Sequence, residues 1–432
     1  MLRKYWWLSA AAAAGITLSG CSGLHTNGGA APALPATHAK AQTRGATAGK
    51  ISHVVIVIQT NRSFDNLFAT FPGANGATSG KMKNGQTIAL AKIPLYSKKL
   101  LQNSHAAFQV DYDGGLMDGF SAVYVDRKSC PACAYAYVDP AQIRPYWTMA
   151  KQYALADNMF PTESSGDFSS HQDLIRGNSA LDASRSAVDF PTHGPWGCDA
   201  QKGTTTPVLM SNGNYVKKGP APCFTYDTLR DVLDDSGVSW KYYSPHLFNG
   251  GLAGAYWNPF DAISAVRNGP EWNTNISMPE TNFLADVSSG KLPAVSWVSP
   301  SDTNSDHAGF GKADKGPAWV ASIVNAIGGS QYWNSTAVIV VWEDWGGWYD
   351  HVPPPQLDYA GLGIRVPMIV VSPYAKAGYI SHTLYEFGSV VKFVEDLWSL
   401  PRLGTTDGRA ASIDDVFDFS AQPRKFVKIP AK

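Results

Sequence analysis

The chain has 432 residues, 44% of them hydrophobic and 16% charged, and its 35 basic and 35 acidic side chains cancel to zero formal charge. So apolar a composition excludes wholesale disorder, and the balanced charge argues against a nucleic-acid partner, which would require a basic face. The length allows one large α/β domain or two or three smaller ones, and beyond the N-terminus no apolar run reaches the ~18–20 residues that span a bilayer.

Arg3 and Lys4 precede an apolar stretch over residues 5–18, which ends in Leu18-Ser19-Gly20-Cys21. A basic start, an apolar middle and small residues before a cut describe a secretory signal. With its cysteine immediately after the small residues, the segment resembles a bacterial lipoprotein signal. That resemblance implies a signal over residues 1–20, lipidation of Cys21, and an exported protein held by its lipid on the periplasmic or cell-surface side of a bacterial membrane. Residues 21–50 are rich in Ala, Gly, Thr and Pro and lack apolar periodicity, so they read as a flexible tether. The remainder, 51–432, reads as a single domain with insertions.

In chain order, continuous apolar runs predict strands over residues 53–59 (HVVIVIQ), 238–243, 294–298, 336–342 (TAVIVVW) and 366–371 (VPMIVV). Runs of this kind suit strands covered on both faces, as in a parallel sheet. Helical spacing predicts helices over 226–235, 317–327 with Pro317 in the first turn, and 386–398. Alternating strands and helices give an α/β fold. Residues 72–150 and 178–290 read as loop-rich excursions, in keeping with 40 Gly and 28 Pro. Four cysteines remain after Cys21: Cys130, Cys133, Cys198 and Cys223. An even count in an exported chain suggests two disulfides. Three pairings exist, of which the local ones, Cys130–Cys133 and Cys198–Cys223, are favoured. No second CxxC accompanies Cys130-Pro131-Ala132-Cys133, so a staple is preferred there to a redox or metal motif.

In open α/β sheets ligands sit beyond the carboxyl ends of strands. Three strand ends here carry suitable side chains: Thr60-Asn61-Arg62-Ser63-Phe64-Asp65, a segment with Asp306-His307, and Glu343-Asp344-Trp345-Gly346-Gly347-Trp348-Tyr349-Asp350-His351. Glu343 and Asp344 repel unless something positive lies between them, and a divalent cation is the economical partner. Residues 163–171 offer hydroxyls near Asp167 and His171, and Asn103-Ser104-His105 offers another histidine. A hydroxyl becomes a usable nucleophile where a metal or base lowers its pKa.

Together these segments resemble the bacterial phosphoesterase family that contains non-hemolytic-type phospholipases C and a group of acid phosphatases. The family opens with an apolar strand and Glu-Asn-Arg-Ser-Phe-Asp, matched here by residues 53–65. Its late pattern, Asp-Asp/Glu-x-Gly-Gly-x-Tyr-Asp-His-Val-x-Pro-Pro, is matched by residues 343–354. Ser104-His105, Met117-Asp118-Gly119-Phe120, Arg365-Val366-Pro367 and Ser381-His382-Thr383 match as well, so the resemblance covers most of residues 51–400. It implies an alkaline-phosphatase-like fold, a mostly parallel sheet flanked by helices with loop-rich insertions. It also implies phosphoester hydrolysis at a divalent metal of unspecified identity, through a hydroxyl nucleophile and a phosphoenzyme.

Carried over residue by residue, Asn61 and Asp344 are metal ligands, Glu343 replaces a family Asp, and Thr60 stands where the first acidic ligand belongs. His105, His307 and His351 stabilise phosphate oxygens or handle protons. Four residues before His171, where the family's hydroxyl often sits, is Asp167; Ser165 and Ser169 flank it and are the preferred nucleophiles. The substrate is a phosphoester small molecule or a phospholipid headgroup, which some of the 14 Trp would contact. Thr60 sustains a rival reading, a catalytically impaired phosphoester- or glycan-binding lipoprotein on the same fold.

Overall fold

The computed structural model describes residues 49–125, 128–248, 252–309 and 314–432. The expected signal, Cys21 and all but the end of the tether lie outside the described residues. The described residues belong to one compact unit.

Among the described residues, nine strands form one sheet. They are β1 (His53–Gln59), β2 (Ala154–Phe160), β3 (Trp240–Tyr243), β4 (Ile276–Ser277), β5 (Val295–Val298), β6 (Thr336–Trp342), β7 (Val366–Val371), β8 (Tyr379–Ser381) and β9 (Tyr385–Glu386). Their order is β4-β3-β5-β1-β6-β7-β2-β8, with β9 also on β2. From β4 to β6 every pairing is parallel. β7 is antiparallel to β6 and to β2, while β8 and β9 run parallel to β2. The sheet is therefore mixed and mostly parallel. The run at β7 is apolar because both its faces are buried, and that composition does not encode its direction. β2 escapes an apolar-run reading because Asp157 and Asn158 interrupt it. Asp157 is nonetheless 1% exposed, with its carboxylate taken up by His382 Nδ1 at 2.9 Å and the Asn75 amide at 2.7 Å.

Six helices matter here: α1 (Phe64–Phe68), α2 (His105–Tyr112), α3 (Asp167–Arg176), α4 (Leu229–Asp235), α5 (Gly316–Gly328) and α6 (Phe387–Trp398). The Ser63 hydroxyl caps α1 by accepting from Asn66 N, and Ser104 caps α2 by accepting from Ala107 N. α6 buries Phe387, Val390, Val391 and Val394, at i, i+3, i+4 and i+7 on one face, and packs on α3. The interior of β1, Val54 to Ile58, is fully buried, each side chain contributing about 1.5–3 kcal/mol. Both favoured disulfides, Cys130–Cys133 and Cys198–Cys223, are present. The second excursion builds a four-stranded antiparallel sheet between residues 180 and 216. No helix among the described residues is long and apolar enough to cross a membrane.

Candidate active site

β1, β2, β5 and β6 point the same way, so the segments after them meet at one edge of the sheet. The loops after β1 and β6 are fastened backbone to backbone: Glu343 N donates to Gln59 O at 3.0 Å, and Arg62 N to Asp344 O at 2.9 Å. Asn61 takes a left-handed φ of 58° there. Gly346, at φ 62°, lies so close that a Cβ on it would sit 2.3 Å from the Asn61 carbonyl oxygen. The segment after β2 enters α3 through Gly166, where a Cβ would lie 2.6 Å from Asn103 O. The loop after β5 is braced by the Gln59 side chain, which donates to Asn304 O at 2.9 Å and accepts from Asp306 N at 3.0 Å. Asp306 itself is held by Tyr146 and Trp342, and its neighbour His307 turns toward α3.

This scaffold gathers Asn61, Asp167, Glu343, Asp344 and His307. Asp167, Glu343 and Asp344 are buried and place carboxylate oxygens within 4.8 Å of one another. Asn61 Nδ2 donates to Asp167 Oδ1 at 3.0 Å. Asn103 Nδ2 spans two acids, donating to Asp344 Oδ2 at 2.7 Å and to Asp167 Oδ1 at 3.3 Å. His307 Nε2 lies 3.8 Å from Asp167 Oδ2, its ring stacked 5.8 Å from Trp257. Among the described residues no Lys or Arg pairs with any of the three acids. Burial, then the neighbouring carboxylates, pushes Glu343 and Asp344 well above the usual range. Burial acts to raise Asp167 too, but His307, with Asp344 and Asn61, holds it well below. Asn61 Oδ1 and Glu343 Oε1 are buried with no hydrogen-bond partner. Hard oxygen donors, excess negative charge and unsatisfied oxygens fit a divalent cation.

The other sequence candidates lie elsewhere. Ser165 Oγ accepts from Asp189 N at 2.6 Å and from Ser169 Oγ at 3.0 Å, so these two hydroxyls engage each other and not the acids. His105 braces the segment after β2, with Nδ1 2.8 Å from Ser164 O. His351 sits in a separate buried network: its Nδ1 is 2.7 Å from Asp65 Oδ2, and Arg365 bridges Asp65 at 3.2 Å and Asp350 at 3.0 Å. Thr60 is buried and its hydroxyl lacks a partner. The sequence names Asn103 only as a neighbour of His105 and gives it no role; its one signal is its place just before the Ser104 cap.

Above the acids opens a cavity of about 650 Å³. Asn103, Asp167 and His307 line it together with Phe190, Trp196, Tyr256 and Trp257. Trp196 packs edge-on against Tyr256, centroids 4.5 Å apart, and stacks on Phe190 at 5.6 Å.

His171, one turn beyond Asp167, has both ring nitrogens buried without partners, and burial lowers its pKa to about 4. The fold thus favours the neutral ring. Its contribution is complete above pH 6.5 and is lost as pH falls toward 4, in total about 3 kcal/mol. His171→Phe should remove that part of the acid sensitivity, measurable as the difference in urea unfolding free energy at pH 6.5 and pH 4.

A family model for the Phosphoesterase family matches residues 51–401. Phospholipase C A of Mycobacterium tuberculosis is 23% identical over 433 residues, covering 86% of this chain and 78% of that protein. Non-hemolytic phospholipase C of Burkholderia pseudomallei is 24% identical over 462 residues, covering 90% of this chain and 62% of that protein. A solved structure of a protein in the alkaline phosphatase superfamily from Vibrio parahaemolyticus aligns with a TM-score of 0.40 at 11% identity, over 86% of this chain and 73% of that one.

Proposed function

Because this chain belongs to the Phosphoesterase family, we propose that it is a phospholipase C-type phosphoester hydrolase whose single catalytic domain is residues 51–432. The observation that carries this reading is the trio Asp167, Glu343 and Asp344, three buried acids within 4.8 Å, of which Asp167 lines a cavity walled by aromatic rings. Asn61, Glu343 and Asp344 would hold a divalent cation. When bound, such an ion neutralises phosphate charge and lowers the pKa of an attacking oxygen. His307 faces both the cavity and Asp167, where it can pass a proton to the departing alkoxide. Of the three candidate nucleophiles, Asp167 alone lines the cavity. Trp196, Tyr256 and Trp257 suit the quaternary ammonium of a choline-type headgroup, which aromatic faces attract. Their presence favours a phosphodiester lipid over a bare phosphomonoester. We place the enzyme outside the cytoplasm, tethered through Cys21.

The test compares hydrolysis of p-nitrophenylphosphorylcholine and p-nitrophenyl phosphate by the purified protein, with EDTA and with added Mg²⁺, Mn²⁺ or Ca²⁺. Turnover of the choline ester that EDTA abolishes and metal restores is the expected result. Faster turnover of the monoester would make it a phosphatase. A folded protein inactive with every metal would favour the rival reading, a phosphoester- or glycan-binding lipoprotein, with Thr60 as the reason.

A further inference from the structure

We infer that Asp167 is a ligand of the cation, supplying the carboxylate that position 60 lacks, and not the attacking group. The inference rests on the metal-dependent reading above and assigns one residue within it.

The first reason is how Asp167 is held. Asn61 and Asn103 both donate to its Oδ1, at 3.0 and 3.3 Å, and Asn103 also donates to Asp344 Oδ2. The Asn103 amide, bridging two acids, fixes their orientation toward a common point, as partners behind metal ligands do. An attacking carboxylate instead needs an oxygen able to advance on phosphorus in line with the leaving group. The second reason is Asn61. Its Nδ2 is committed to Asp167, which leaves Oδ1 buried and without a partner, in a residue 2% exposed. An amide oxygen so placed beside three carboxylates is a ready donor for a hard cation.

The third reason is charge. Thr60 adjoins Asn61 at the end of β1, is fully buried, contributes no charge and has an unpartnered hydroxyl. In the pattern the chain resembles, the acid precedes the asparagine and the hydroxyl lies at the start of the helix. Here the two side-chain types are exchanged between the same two places, and the number of acids around the cation is preserved.

Mn²⁺ and Ca²⁺ are titrated separately by calorimetry into the parent, Asp167→Asn and the double variant Thr60→Glu/Asp167→Asn. The expected result is that Asp167→Asn weakens binding by about 100-fold or more, and that adding Thr60→Glu recovers most of it. Asp167→Asn binding within threefold of the parent would overturn the inference and return Asp167 to the role of nucleophile. Should Asp167→Asn fail to fold, the double variant decides alone: a folded double variant that binds Mn²⁺ supports the exchange, and one that does not overturns it. A parent that binds neither ion would instead refute the metal-dependent reading itself.

Discussion

Asp344→Asn is expected to lower kcat for phosphoester hydrolysis by about a thousandfold, the upper end of what removing one preorganised electrostatic contact costs. The amide keeps the shape of the carboxylate but not its charge. It also removes the carboxylate whose charge, after burial, helps push Glu343 above the usual range. In EDTA the variant should therefore melt at the same temperature as the parent or higher, while its activity collapses. Differential scanning calorimetry beside a phosphorylcholine ester assay reads both quantities. A drop in both together would mark Asp344 as a structural residue.

Arg365→Met should act in the opposite way, costing about 3–5 kcal/mol of stability because it breaks a buried ion network from one side. Arg365 is fully buried between Asp65 and Asp350, donates to the backbone oxygens of Asn75 and Asp157, and lies 4.4 Å from the Phe64 ring centroid. The methionine leaves two carboxylates facing each other, with backbone amides and the His351 ring to offset their charge. Arg365→Lys should recover part of the loss, since an ammonium restores the charge but not the planar fork. Urea unfolding midpoints rank the three proteins. An Arg365→Met protein as stable as the parent would show that the network carries no net stabilisation.

Much of the fold was legible in the sequence because its strands are buried on both faces. β1, β6 and β7 begin and end where their apolar runs do. β2 was not legible, since Asp157 and Asn158 sit in a strand whose polar groups are satisfied only by residues distant in the chain. Four acids and amides of the site were legible as chemistry: Asn61, Asp167, Glu343 and Asp344. Direction was not. Nothing local says that Ser165 and Ser169 bond to each other, that the His105 ring meets Ser164 O, or that the His351 ring meets Asp65. Asn103 is an ordinary loop residue until folding sets its amide between two carboxylates.

The seam between the loops after β1 and β6 bears on how the protein comes into being. Asn61 meets Asp167 across 106 residues of chain and Glu343 across 282. A growing polypeptide has Asn61, Asn103 and Asp167 early, but Glu343 and Asp344 only once most of the chain is made. Until β6 zips alongside β1, Asn61 has no carboxylates from residues 343 and 344 to answer it. The full set of carboxylates therefore arrives as a single late event, and a chain cut short before residue 343 lacks both acids of that loop.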